Sequence, residues 1–150
     1  MRRIFLWINF VLASLIVLLV FAQAYFITAY VTGAGESALD THGFIGFAII
    51  HPAELLVFLT AFGAWPRAWK WIGFTFFLFF LGTVQIFLAP PDEDPASGWV
   101  HGFHGLLALV VAVTAGVIAH RGMRDLGLRR SSPSPSGDTG SAPPQSLPLR

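Results

Sequence analysis

Residues 4–31 read IFLWINFVLASLIVLLVFAQAYFITAYV, an apolar run without a single charge. The hydrocarbon core of a bilayer takes about 20 helical residues to cross, so this run is long enough to span it. A signal peptide would end in a short apolar segment and a small-residue cleavage site. Here the run continues through Gln23, Tyr25 and Tyr30, so it reads as a retained first helix. The same criterion finds three further spans, from about Asp40 to Ala64, from Trp71 to Leu88 and from Trp99 to Ala119. Composition agrees: 55% of the 150 residues are hydrophobic, only 11% are charged, and the mean hydropathy is +0.68. Soluble domains carry about a quarter charged residues. The expected fold is all-α, a transmembrane four-helix bundle over residues 1–120. Residues 121–150 change character, with Ser131-Ser132-Pro133-Ser134-Pro135-Ser136-Gly137 and Pro143-Pro144, and read as a disordered cytoplasmic tail.

Orientation follows from the basic residues. Arg2 and Arg3 precede the first span, Arg67 and Lys70 join the second to the third, and Arg121, Arg124, Arg129 and Arg130 follow the fourth. The opposite loops hold Glu36, Asp40, Asp92, Glu93 and Asp94 and nothing basic. By the positive-inside rule both termini are expected in the cytoplasm and the acidic loops outside. Trp65, Trp69 and Trp71 at the inner boundary and Trp99 at the outer one read as interfacial anchors.

Several chemistries lack their residues. There is no cysteine, which removes disulfides, thiolate metal sites and iron–sulfur clusters. The one lysine, Lys70, lies in a loop, and Met1 and Met123 lie outside the apolar runs, against a retinal Schiff base or methionine ligation. A net charge of +1 without a basic patch argues against a nucleic-acid partner. Hydrolase, phosphate-loop and dinucleotide signatures are absent, so an enzyme is not expected.

An internal repeat organises the polar residues. A shift of 62 positions lays Gln23 on Gln85, His42 on His104 and Gly43 on Gly105, with apolar residues matching around them. Two related helical hairpins, with a pseudo-twofold axis along the membrane normal, would bring these side chains together near the external face. One reading is structural: Gln23 bonds His42, Gln85 bonds His104, and each pair locks a hairpin. The other is chemical. Two histidines from facing helices can be the axial ligands of one b-type haem, with Gln23 and Gln85 orienting them. Gly43, Gly46, Gly102 and Gly105 would leave room for a flat macrocycle. His101, three residues before His104, is the alternative ligand, and His42, His101 and His104 together would suit copper or zinc.

His51, Pro52 and Glu54 form a separate constellation, about 13 Å below His42 along the second helix. Glu54 is the one acidic residue within a span, and at i+3 it meets His51 on one face. The pair either neutralises itself or carries a proton. Pro52 is expected to kink the helix. His120, at the inner boundary, reads as a helix-end residue.

Gln23 followed by an aromatic and Ala29, His42 with Gly46, Gln85 before a loop, and Val100-His101-Gly102-Phe103-His104 together resemble an uncharacterised bacterial family of small four-helix membrane proteins, a domain of unknown function. The likeness covers roughly residues 4–120 and implies a multi-pass protein of the bacterial plasma membrane. In that family the fourth helix tends to begin Leu-His-Pro-x-Asn. Its histidine maps onto His101 and its asparagine onto His104, while Gly102 replaces the proline. By arrangement the chain is also similar to four-helix haem-b membrane proteins.

The expectation is therefore a membrane protein holding haem b at His42 and His104 and taking part in electron transfer with a quinone or another membrane redox protein. Oligomerisation is compatible with it. A cofactor-free accessory or scaffold protein is the alternative. A small transporter is the third, with a polar path limited to His51, Glu54, Thr60 and Thr75.

Overall fold

A computed structural model describes residues 1–89 and 97–128. The acidic residues Asp92, Glu93 and Asp94, Arg129 and Arg130, and the tail from residue 129 onward lie outside the described residues. Four helices carry the fold: α1 (Arg2–Ala29), α2 (Glu36–Ala64), α3 (Trp69–Phe87) and α4 (Ser97–Asp125). Each is long and apolar enough to cross a membrane. They run up and down in a ring, α1 against α2 and α4, and α3 against α2 and α4, while among the described residues the backbones of diagonal pairs make no contact. Leu6, Ala13, Ile16, Ala53, Val57, Leu78, Ala115 and Ile118 fill the centre. Alanine is prominent there because apolar lipid gives helices no hydrophobic reason to associate, and close backbone approach replaces it.

The helices begin and end differently from the sequence expectation. The first hairpin turns later than Val31: a π-helical turn, Tyr30–Ala34, follows α1, and Gly33 and Gly35 supply φ of +98° and +87° before α2 starts at Glu36. Only glycine adopts these values freely. Helix α4 extends past Ala119 to Asp125, so the boundary expected at residue 120 falls inside a helix. Its end is chemically marked. Gly127 has φ +74°, its N–H bonds Arg124 O at 3.0 Å, and Leu128 N–H bonds Met123 O at 3.1 Å. This is a Schellman closure, which satisfies carbonyls the helix leaves open.

Pro52 acts through the hydrogen-bond ladder. Ile45–Ile50, just before it, is π-helical, and the His51 N–H reaches back five residues to Gly46 O. A proline ring in an ordinary helix collides with the carbonyl four residues earlier, and one widened turn relieves the collision.

Trp65 is not an interfacial anchor. It is 3% exposed, and its Nε1–H donates to Asp125 Oδ2 at 2.8 Å. Arg121 pairs with the same carboxylate at 3.0 Å and lies over the Trp71 ring, 5.1 Å from its centre. The indole thus joins the α2–α3 turn to the last turn of α4. Trp69 and Trp99 are exposed, as anchors require.

Burial follows the repeat. Ala13, Ile16 and Val20 of α1 are buried, and so are Thr75, Leu78 and Gly82, the residues at the same offset in α3. Ala53 and Ala115 correspond in α2 and α4.

Candidate functional site

At the end of the bundle opposite the arginines, His42 of α2 and His104 of α4 face each other across the diagonal. Their ring centroids are 6.1 Å apart and their planes 50° apart. Each ring is held in the same way: His42 Nδ1 lies 3.1 Å from the backbone carbonyl of Gln23, and His104 Nδ1 lies 3.1 Å from that of Gln85. The repeat seen in the sequence is therefore also a repeat of contacts.

The glutamines act differently from the expectation. Their main-chain oxygens, rather than their side-chain amides, meet the histidines. A helical carbonyl uses one lone pair for its own ladder and keeps the second for a neighbour. Since a carbonyl only accepts, Nδ1 must donate, and in the neutral imidazole Nε2 then carries the lone pair. Both rings are thereby set in the tautomer whose Nε2 binds a metal. The side-chain oxygens Oε1 of Gln23 and Gln85 are buried without a hydrogen-bond partner among the described residues. These two acceptors without partners among the described residues lie at matching positions in the repeat, on the same residues whose carbonyls hold the two imidazoles.

The glycines divide. A Cβ at Gly46 would fall 2.7 Å from Gln23 Nε2, so that space belongs to the glutamine amide, not to a macrocycle. Gly43, Gly102 and Gly105 have no atom within 4 Å of such a Cβ and face open space. His101 is exposed, and among the described residues no three His, Asp or Glu side chains gather into a metal-binding group. The three-histidine copper or zinc site is not assembled.

The second constellation forms as expected. His51 Nδ1 lies 3.3 Å from Glu54 Oε2, and the His51 ring stacks on Phe79 of α3 at 5.1 Å. It is distinct from the first, because His42 turns towards α1 and α4 whereas His51 packs on α3. The hydroxyls of a transport path are committed elsewhere: Thr75 Oγ1 donates to Ile72 O at 2.9 Å, and Thr60 Oγ1 donates to Leu56 O at 2.7 Å. Thr60 also accepts from Asn9 Nδ2 at 3.1 Å, and the same amide donates to Val57 O at 2.7 Å. Asn9 is fully buried in α1, yet has no signal in the repeat, where Trp71 takes its position.

Comparison of the chain with protein-family models, with curated proteins and with solved structures finds no match in any of the three. These comparisons give no support to the expected likeness to four-helix haem-b membrane proteins.

Proposed function

We propose that this membrane protein binds one b-type haem between α2 and α4, with His42 and His104 as axial ligands, and serves membrane electron transfer. The observation that carries the reading is the opposed pair of imidazoles with Nδ1 already donated to a carbonyl. An imidazole nitrogen sits about 2 Å from a metal it ligates, so two rings across one ion have centroids about 6 Å apart. The 6.1 Å between the ring centroids is compatible with both imidazoles ligating one ion. The carbonyls of Gln23 and Gln85 fix each tautomer and make Nε2 more basic. Gly43, Gly102 and Gly105, next to or near the histidines in sequence, put no side chain into the open space they face. A bound haem b would supply reversible one-electron transfer. The arginines and lysine gather at the other end, which by the positive-inside rule favours a position of this centre near the external face; a quinone or a membrane redox protein is the partner this reading proposes.

The test is the reduced-minus-oxidised visible spectrum of the detergent-purified chain expressed with haem supply. A Soret band with sharp α and β bands is expected, lost in His42→Ala and in His104→Ala and retained in His101→Ala. Absence of any band in folded wild-type protein would sink the proposal.

A second reading has its own observation. The two Nδ1 bonds join α1 to α2 and α3 to α4 whatever else is bound, as a cofactor-free scaffold would need. It requires no visible absorption and tolerance of His42→Asn, which keeps an N–H donor but no imidazole.

A further inference from the structure

Helix α2 buries a carboxyl in the apolar interior of the bundle. Glu54 is 1% exposed, and its Oε2 faces His51 Nδ1 at 3.3 Å. Its Oε1 is buried without a partner among the described residues. Across the seam, the carboxyl fills the space that a side chain at Gly82 of α3 would occupy, so any Cβ there would run into both oxygens. The repeat shows that this is a local modification. At the positions corresponding to Glu54 and Gly82 the other half has Gly116 and Val20. The large group and the notch that admits it occur together in one half only.

An ionised carboxylate offers about four lone-pair sites and needs several donors when water is excluded. Glu54 has one. Between Arg3 and Tyr25 in α1, after Lys70 in α3, and between His104 and His120 in α4 there is no titratable residue. His51 is thus the sole ionisable group facing the carboxyl from any of the described helices, and at 24% exposure its ring also reaches the bundle surface. The two groups can stay net neutral only by holding one proton between them.

We propose that Glu54 and His51 form a proton-binding site inside the membrane, in which Glu54 stores the proton and His51 exchanges it. In the uptake step a lone pair of Glu54 Oε2 forms an O–H bond with the His51 Nδ1 proton. The N–H bond breaks, leaving its electron pair on Nδ1, and the imidazolium becomes neutral. Proton return runs the same exchange backwards. The site is independent of haem, since it touches neither His42 nor His104.

Dicyclohexylcarbodiimide, an apolar reagent that modifies protonated carboxyls reachable from a hydrophobic phase, tests this on the full chain in liposomes. Mass mapping should find one adduct at Glu54, formed more slowly as the pH is raised from mildly acid to mildly alkaline, and absent in Glu54→Gln. A water-soluble carbodiimide should leave Glu54 unmodified while reacting with Glu36. His51→Asn, which removes the exchange partner, should change the pH profile. No Glu54 adduct at any pH in the folded chain would mean a fixed carboxylate–imidazolium pair and overturn the proposal; so would an adduct whose rate ignores pH. The same labelling is expected with and without haem, so a blank visible spectrum bears only on haem binding and a blank adduct map only on the proton site.

Discussion

Asn9 shows how much a single polar side chain can do in this bundle. Its amide crosses from α1 to the Val57 carbonyl and the Thr60 hydroxyl of α2, but its own Oδ1 has no partner among the described residues. Interhelical hydrogen bonds in membranes are worth about 0.6 kcal/mol on average and about 1.7 at most. Asn9→Ala removes the bonds and leaves a gap, and is expected to lose about 1–3 kcal/mol. Asn9→Leu fills the space and deletes the orphaned oxygen, so it should lose less than the alanine variant. Unfolding of the two variants in mixed detergent gives the order, and a leucine variant less stable than the alanine one would contradict it. Sequence reading passes over Asn9 for a definable reason. His42, His104, Gln23 and Gln85 announce themselves twice, once in each half, whereas Asn9 has Trp71 as its counterpart and stands alone in an apolar run. The same reading places the four repeated residues together but assigns their contacts to side chains. A spare carbonyl lone pair is present at every residue, so no residue type signals it.

Among the elements, the spans are evident from hydropathy, while their ends depend on contacts that hydropathy does not register. Ala119 closes the apolar run of α4, yet the helix continues because Asp125 and Arg121, one turn apart, both have partners on the α2–α3 side. The stop signal is Gly127, legible in retrospect as a glycine after a basic last turn. Trp65 reads as an anchor because a tryptophan at a span boundary usually is one, and only packing shows that the indole N–H faces a carboxylate instead of headgroups. Hydrogen bonds to charged groups contribute about 1.5–3 kcal/mol, towards the lower end where the pair is partly exposed. Trp65→Phe keeps the ring and loses the donor, so a loss of about 1–2 kcal/mol is expected. Asp125→Ala should cost somewhat more, because Arg121 also loses its partner. The double variant should cost less than the sum of the two, since they remove one shared bond. Thermal unfolding of the four proteins completes the cycle, and strict additivity would show that the indole and the carboxylate act separately.

Across the whole molecule the two hairpins share the histidine contacts and much of their burial, and differ at Asn9 and Trp71 and where Glu54 meets Gly82. Gln23 and Gln85, His42 and His104, Ala13 and Thr75, Ile16 and Leu78 keep their roles at a constant offset, as a duplicated ring of helices about one axis requires. At the positions of Glu54 and Gly82 the residue volumes are distributed differently: glutamate and glycine in one half, glycine and valine in the other. If the difference conserves packing, it should be reversible. Gly82→Val alone drives a branched side chain into the Glu54 carboxyl, and overpacking of this kind costs about 1–3 kcal/mol or more. Glu54→Gly alone leaves a cavity and a flexible residue inside a helix, which is also destabilising. Together they place at these positions the residue types that the other half has at Gly116 and Val20, so the double variant should be more stable than Gly82→Val by about 1 kcal/mol or more. It should also lose the carbodiimide adduct, since the carboxyl is gone. A double variant no better than the sum of its parts would show that the two halves pack this seam differently and that Gly82 serves something other than room for Glu54. Recovery would separate the roles cleanly: the seam needs volume at that depth in the membrane, which valine supplies, whereas only a carboxyl in the same space gives the bundle a group that takes up a proton.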